Sequence, residues 1–236
     1  MTRPRLLDLF CCAGGASTGY HRAGFEVVGV DIAPQPNYPF EFHQADALDF
    51  LAAHGHEFDA IAGSPPCQAS SALTAGNRRR RGWTDNHVNL IPPVRTAFAA
   101  LRQTHPHIPT VIENVQGSEL RRDLTLCGLS FGLKVFRHRY FEIDGLTVPA
   151  PHHPSHRGHR VTGWRHGVRY DGDMFAVYGD GGGKGTVVQW QDAMGIHWTD
   201  VRREIAEAIP PAYTDWIGAA LHAHITTTAT AILAAA

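Results

Sequence analysis

The chain has 236 residues, with 21 Lys and Arg against 22 Asp and Glu and a formal net charge of −1. That length suits one α/β domain with a real core plus a small appendage, and the charge balance excludes a global electrostatic field for nucleic acid, so any such surface is local. No apolar run reaches bilayer-spanning length, Asp8 and Gly14-Gly15 break the N-terminal apolar stretch too early for a signal peptide, and the four cysteines form neither a CxxC pair nor a disulfide framework; a soluble chain of a reducing cytoplasm is expected.

Arg5 to Phe10 is apolar with one acid and leads into a Gly-rich turn, after which residues 17–23 carry helical spacing. Phe25 to Ile32 is a β-branched run that reads as a strand buried on both faces. A weak extended segment precedes Asp46, and Phe58 to Ala62 reads as the next strand. Leu90 to Leu101 is helical, with Pro92 and Pro93 near its start, where proline is tolerated. Thr110-Val111-Ile112 is a further short strand with Glu113-Asn114-Val115 at its C-terminal end. Strands alternating with helices predict an α/β fold with a doubly wound, mainly parallel sheet over residues 1–143. Residues 144–199 are rich in His, Arg, Pro and Gly and read as a small, loop-rich basic appendage, with a flexible loop at Gly179–Gly185. Helices at about 200–208 and 213–224 return to the main domain, and the Thr/Ala-rich residues 225–236 are expected to fray.

The most informative stretch is Gly63-Ser64-Pro65-Pro66-Cys67-Gln68. It follows an apolar strand and places a thiol where the C-terminal edge of such a sheet opens into a ligand crevice. The two prolines fix the backbone immediately before Cys67. A free cysteine by itself reads as a small buried hydrophobe; three further segments argue otherwise. Phe10 to Gly15 is a strand-to-helix turn whose glycines, Gly14 and Gly15, let backbone approach a ligand. Asp31 closes the second strand, where an acid meets a ribose diol in sheets of this kind. Glu113 and the arginines Arg137 and Arg139 would pass as ordinary ion pairs if met singly.

Asp8-Leu9-Phe10 with Gly14-Gly15, Pro65-Pro66-Cys67-Gln68, Glu113-Asn114-Val115 and Arg137-His138-Arg139 occur in that order. Together they resemble the DNA (cytosine-5)-methyltransferases that use S-adenosylmethionine, over most of residues 5–143 and again at about 200–218. The resemblance implies a Rossmann-like methyltransferase sheet and a flipped-out cytosine attacked at carbon 6 by the Cys67 thiolate. It implies a protonated Glu113 on the base's Watson–Crick edge, and Arg139 with Arg137 clamping the base carbonyl or a nearby phosphate. Around the cofactor it implies Phe10 stacked on adenine and Asp46 at the adenine amino group, with Pro66, Glu207 and Ala208 completing the site.

Some positions depart from the family pattern. Cys12 stands where the first glycine of the turn is usual, Val135 where a glutamine is usual, and Glu207 where an asparagine is usual. The region between Ile143 and Asp200 is short for target recognition. Its Arg157, Arg160, Arg165 and Arg169 are expected to touch phosphates and a few base edges of double-stranded DNA. The run Arg78-Arg79-Arg80-Arg81 is expected to grip phosphates as a lid. No metal is expected: no cysteine or acid is interleaved among His152, His153, His156, His159 and His166. A monomer is expected, with no membrane. Two alternatives stand beside this reading. One is the RNA branch of the same superfamily, acting on tRNA, whose Cys-Phe-Thr signature is not visible. The other is a catalytically silent DNA-binding relative, which intact Cys67 and Glu113 oppose.

Overall fold

The computed structural model of the chain describes residues 2–66, 89–165, 167–179 and 184–235, with residues 165, 229 and 231–235 described by backbone alone. Cys67 and Arg78 to Arg81 lie outside the described residues. In chain order the elements are β1 (Arg5–Leu9), α1 (Gly15–Arg22), β2 (Glu26–Asp31), β3 (Glu41–Gln44), α2 (Ala47–His54), β4 (Ala60–Gly63), α3 (Ile91–Thr104), β5 (Thr110–Val115), β6 (Leu124–Leu126), β7 (Arg139–Asp144), β8 (Gly163–Arg165), β9 (Val168–Tyr170), α4 (Val187–Met194), α5 (Arg202–Glu207) and α6 (Pro211–Ala235).

Seven strands form one sheet in the order β3-β2-β1-β4-β5-β7-β6. The first five in that order run parallel, and β7 runs antiparallel to both β5 and β6. The doubly wound, mainly parallel sheet expected from the sequence is therefore present. Its two faces follow from the period of two in β1. Leu6 joins the apolar layer that includes Tyr20, Tyr213 and Ile217 from α1 and α6. Leu7 and Leu9 join the opposite layer with Leu51 from α2 and Ile91, Val94 and Phe98 from α3. Asp8 shares the face of Leu6 and so meets α1, a placement with chemical consequences below. The prolines of α3 sit in its first turn as expected.

The layer of α1 and α6 is unusually close. A Cβ on Gly19 would lie 2.0 Å from Thr214 Oγ1 and 2.2 Å from the Pro211 carbonyl oxygen, so only glycine lets the two helices meet there. Thr214 Oγ1 uses the proximity to donate to the Ala16 carbonyl at 2.8 Å. This contact presses the C-terminal helix onto the Gly-rich turn.

Two sequence expectations are corrected. The last helix, expected to end near 224, continues as α6 to Ala235. There the hydroxyls of Thr226, Thr227, Thr228 and Thr230 donate to carbonyls four residues back, which absorbs the polar side chains into the helix. The region 144–199 is also more than loop. It carries the β8–β9 hairpin and α4, whose Thr186 and Gln189 form a capping box. Trp190, Ala193 and Met194 of α4 join Val135, Val177, Ile196 and Ile205 in a third apolar cluster. The eight residues of α4 were missed because so short a run sits directly after a Gly-rich segment. No described helix is long and apolar enough to cross a membrane.

Candidate active site

A cavity of about 400 Å³ opens where β1, β2, β4 and β5 end. Its wall includes Phe10, Cys12 and Gly15 from the turn after β1, Asp31 and Ile32 from the end of β2, Ser64, Pro65 and Pro66 after β4, Glu113 and Val115 of β5, Arg139 of β7, and Arg203, Glu207 and Ala208 near the C-terminus. Segments far apart in sequence thus meet at one sheet edge, as parallel topology dictates.

The turn after β1 is held in a left-handed backbone. Gly14 has φ 84, and Phe10 and Cys12 have φ 59 and 45. Cys12 therefore keeps the conformation that glycine would adopt most easily, at a cost of about 1–2 kcal/mol. Its N–H donates to Asp31 Oδ2 at 3.1 Å, while Asp31 Oδ1 accepts from Ala33 N–H at 3.0 Å. Asp31 is fixed at the cavity rim with one lone pair on each oxygen left to face a ligand. Gly14 shapes the turn without lining the cavity. Gly15 does line it, and a Cβ there would lie 2.6 Å from the Ile209 carbonyl oxygen. Trp198 Nε1 donates to the Ala13 carbonyl at 2.8 Å, tying the turn to the C-terminal segment. Burial pushes the Cys12 thiol up to about 12 and Cys11 further, so neither is a thiolate at neutral pH.

Asp8 lies beneath the turn, 1% exposed. Ser17 Oγ donates to its Oδ2 at 2.5 Å and accepts from the Tyr38 hydroxyl at 2.9 Å, while Oδ1 is buried with no hydrogen-bond partner. Burial raises its pKa from 3.8 to about 7, partly offset by Ser17. The folded state therefore binds a proton more tightly than the unfolded state. Stability falls as pH rises from about 4, levelling off above about 7, with a total on the order of 4 kcal/mol. Asp8→Asn is expected to remove that slope, and urea unfolding at pH 4.5, 6 and 8 measures it. A variant that retains the slope would place its origin elsewhere.

Glu113 is 7% exposed, and burial raises its pKa against the opposing pull of Arg139, Arg137 and the Ser64 side chain. Arg139 Nε is 2.9 Å from Glu113 Oε1, an ionic contact without hydrogen-bond alignment, since Oε1 has no hydrogen-bond partner. The neighbouring Asn114 is 1% exposed and donates to the Pro65 carbonyl at 2.9 Å. It anchors the Pro-Pro turn to β5 two residues before Cys67.

Other sequence-selected residues fall differently. Arg137, expected to share the base clamp, is not among the residues of the cavity wall. With φ 37, it donates through Nη1 to the Val177 carbonyl at 2.8 Å and through Nη2 to the Ala206 and Ala208 carbonyls at 2.6 and 2.7 Å. It is a backbone staple, satisfying carbonyls at the end of α5. Asp46 also stands off the cavity wall and caps α2, its Oδ1 accepting from Leu48 N–H at 2.8 Å and Asp49 N–H at 3.1 Å. Glu207 does face the cavity, where Arg203 pairs with it at 2.9 Å. Val135, in place of the usual glutamine, is buried in the third cluster. Arg157, Arg160 and Arg169 are exposed, with Arg169 3.3 Å from Asp171; the Arg165 side chain lies outside the described residues. Sequence reasoning missed Ile32 and Arg203 on the wall, and the exposed Trp164 and Tyr170 of the β8–β9 hairpin. Ile32 is 72% exposed directly after Asp31, an apolar end to a buried strand that only the cavity explains.

The fold and the cavity together define a Rossmann-like methyltransferase. The chain belongs to the C-5 cytosine-specific DNA methylase family, whose model matches residues 4–123. It is 28% identical over 170 residues to the type II methyltransferase M.HgiDI of Herpetosiphon aurantiacus, covering 60% of this chain and 54% of that protein. It is 31% identical over 133 residues to M.XorII of Xanthomonas oryzae pv. oryzae, covering 50% of this chain and 29% of that protein. The chain thus spans about half or less of the length of these curated relatives. Among solved structures, the S. pombe Dnmt2 methyltransferase superposes with TM-score 0.60 at 16% identity, over 93% of this chain and 98% of that one. The Entamoeba histolytica methyltransferase EhMeth superposes with TM-score 0.61 at 12% identity, over 94% and 98%. At these identities the likeness is one of fold.

Proposed function

We propose that this chain transfers a methyl group from S-adenosylmethionine to carbon 5 of a flipped-out cytosine in double-stranded DNA. The observation that carries the reading is the cavity itself. On one wall a buried Glu113 with raised pKa meets Arg139 and the turn that ends at Pro66, one residue before Cys67; on the other stand the Gly-rich turn and Asp31.

The wall fits the cofactor's chemistry. S-adenosylmethionine carries a sulfonium and an ammonium, and the carboxylates of Asp31 and Glu207 stand on the lining to meet positive charge. Asp31 is poised for a ribose diol, Phe10 and Ile32 offer apolar surface to adenine, and Glu207 with Ala208 and Arg203 would meet the amino-acid end. Pro66 would pack between cofactor and base. When bound, S-adenosylmethionine supplies an electrophilic methyl group.

The protein's task is to make carbon 5 nucleophilic. Cys67, as thiolate, bonds to carbon 6, and the displaced electron pair gives carbon 5 enamine character. Glu113 acts in its protonated form, which burial favours, donating to N3 and accepting part of the developing charge. Arg139 holds the carboxyl in place and faces the base carbonyl. After methylation the proton on carbon 5 leaves to solvent, the carbon–sulfur bond breaks and the thiolate is released. Arg157, Arg160, Arg165 and Arg169, joined by Trp164 and Tyr170 of the hairpin, would form the local DNA surface, with Arg78 to Arg81 gripping phosphates.

Incubating the chain with radiolabelled S-adenosylmethionine and either plasmid duplex or tRNA tests the reading. Label is expected in duplex DNA as 5-methylcytosine. Label in tRNA alone would transfer the reading to the RNA branch, and label in neither would leave a silent relative.

A further inference from the structure

We propose that Cys127, His138, His153 and His156 form a structural zinc site that pins the start of the recognition region to the edge of the catalytic sheet. Their ligand atoms all lie within 4.8 Å of one another. Cys127 Sγ is 3.4 Å from His156 Nε2, and His138 Nε2 is 3.2 Å from His153 Nε2. Tetrahedral zinc with Zn–S of about 2.3 Å and Zn–N of about 2.05 Å needs S···N edges of about 3.6 Å and N···N edges of about 3.3 Å. The two observed edges are within a few tenths of an ångström of these. The ring positions agree independently. Three imidazoles tetrahedrally arranged about one ion stand with centroids about 5 Å apart, and the three pairs here are separated by 5.5, 5.1 and 5.1 Å. Two ring nitrogens directed at each other across 3.2 Å share at most one proton; an ion between them satisfies both lone pairs.

The sequence reading set metal aside because no cysteine is interleaved among the histidines of residues 152–166. The fold supplies one from elsewhere. Cys127 directly follows β6 and His138 directly precedes β7, whose first residue is the cavity residue Arg139. His153 and His156 belong to the segment that leaves the sheet towards the β8–β9 hairpin. The pattern is Cys-x10-His-x14-His-x2-His, and four protein ligands make a closed site of the structural kind. Phe136 stacks on the His156 ring at 4.3 Å and 24°, which fixes the orientation of that ligand.

The need for such a staple is physical. Between Val148 and Val177, Met174 is the one buried residue among those described. A segment with so little apolar burial cannot offset its ordering entropy by packing, and metal ligation is a common substitute. A thiolate and three neutral imidazoles on a divalent ion leave one positive charge, which suits a surface facing phosphates.

The full chain, purified without chelator from zinc-supplemented cells, is expected to carry one zinc per chain by inductively coupled plasma mass spectrometry. Replacement with cobalt should give the intense visible absorption of a tetrahedral site together with a thiolate-to-cobalt charge-transfer band. Cys127→Ser should abolish that band, which separates this site from any binding at Cys67. His153→Ala, at an exposed position that leaves the core intact, should weaken zinc affinity at least about 100-fold in competition with a chromophoric chelator. His152→Ala, one residue away and outside the cluster, should leave it unchanged. Chelation should also raise hydrogen exchange across residues 150–160. A chain without zinc or a cobalt band, or a His153→Ala variant that binds zinc as tightly as the wild type, overturns the site. Unchanged exchange on chelation overturns the stapling role.

Discussion

Cys67→Ala is expected to abolish methyl transfer, a loss beyond the roughly 10²–10⁴-fold that general acid–base groups contribute, while S-adenosylhomocysteine still binds. The expectation rests on how the cavity is assembled. Asp31, the Gly-rich turn and the α5 end form the wall proposed for the cofactor, and they belong to segments other than the one that carries Cys67. Cys11 and Cys12, which line the cavity, are held as thiols by burial and cannot substitute. Calorimetric titration gives the binding half and label incorporation the catalytic half. A duplex with 5-fluorocytosine at the target should give a denaturation-resistant adduct with the wild type only, because fluorine at carbon 5 cannot leave as a proton does. Normal turnover by Cys67→Ala would sink the covalent mechanism.

The second large effect is expected at Glu113. Glu113→Gln keeps the size of the side chain and a hydrogen-bond donor but cannot transfer a proton, so kcat should fall about 10²–10⁴-fold. The dissociation constant for S-adenosylhomocysteine should change little. The pH profile separates this role from mere positioning. Burial raises the pKa of Glu113, the proposed active form is protonated, and activity should therefore decline as pH rises past that raised value. Because Cys67 must ionise, the wild-type profile of kcat should be bell-shaped. The glutamine variant should retain the acidic limb and lose the alkaline one. An alkaline limb that survives in the variant would assign it to another group.

Much of this was legible in the sequence because it is local. The strands β1, β2, β4 and β5 read as apolar runs since parallel strands are buried on both faces. The prolines before Cys67 and at the start of α3 act on their own backbone. The short motifs around Phe10, Cys67, Glu113 and Arg139 carry chemistry in their residue types, and their order along the chain was enough to indicate the family. Cys12 was legible as a departure, though only the structure shows that it keeps a left-handed backbone and gains an Asp31 hydrogen bond in return.

What only the tertiary structure decided depends on where side chains from distant segments point. Arg137 and Arg139 are two residues apart and looked equivalent. Yet Arg139 on β7 faces Glu113, while Arg137, with its positive φ just before the strand, turns into the backbone of α5. Asp8 reads as one acid in an apolar strand, and its burial against Ser17 follows from which face of the sheet α1 covers. In the extension of α6 the threonine hydroxyls find carbonyls four residues back, which accommodates polar side chains that composition alone reads as loose chain. The cluster of Cys127, His138, His153 and His156 joins two loops flanking the sheet edge to a region with almost no apolar pattern. Periodicity and spacing report the neighbours of a residue along the chain; a ligand set or a buried charge is defined by its neighbours in space, and those are fixed only when the sheet order brings separate segments together.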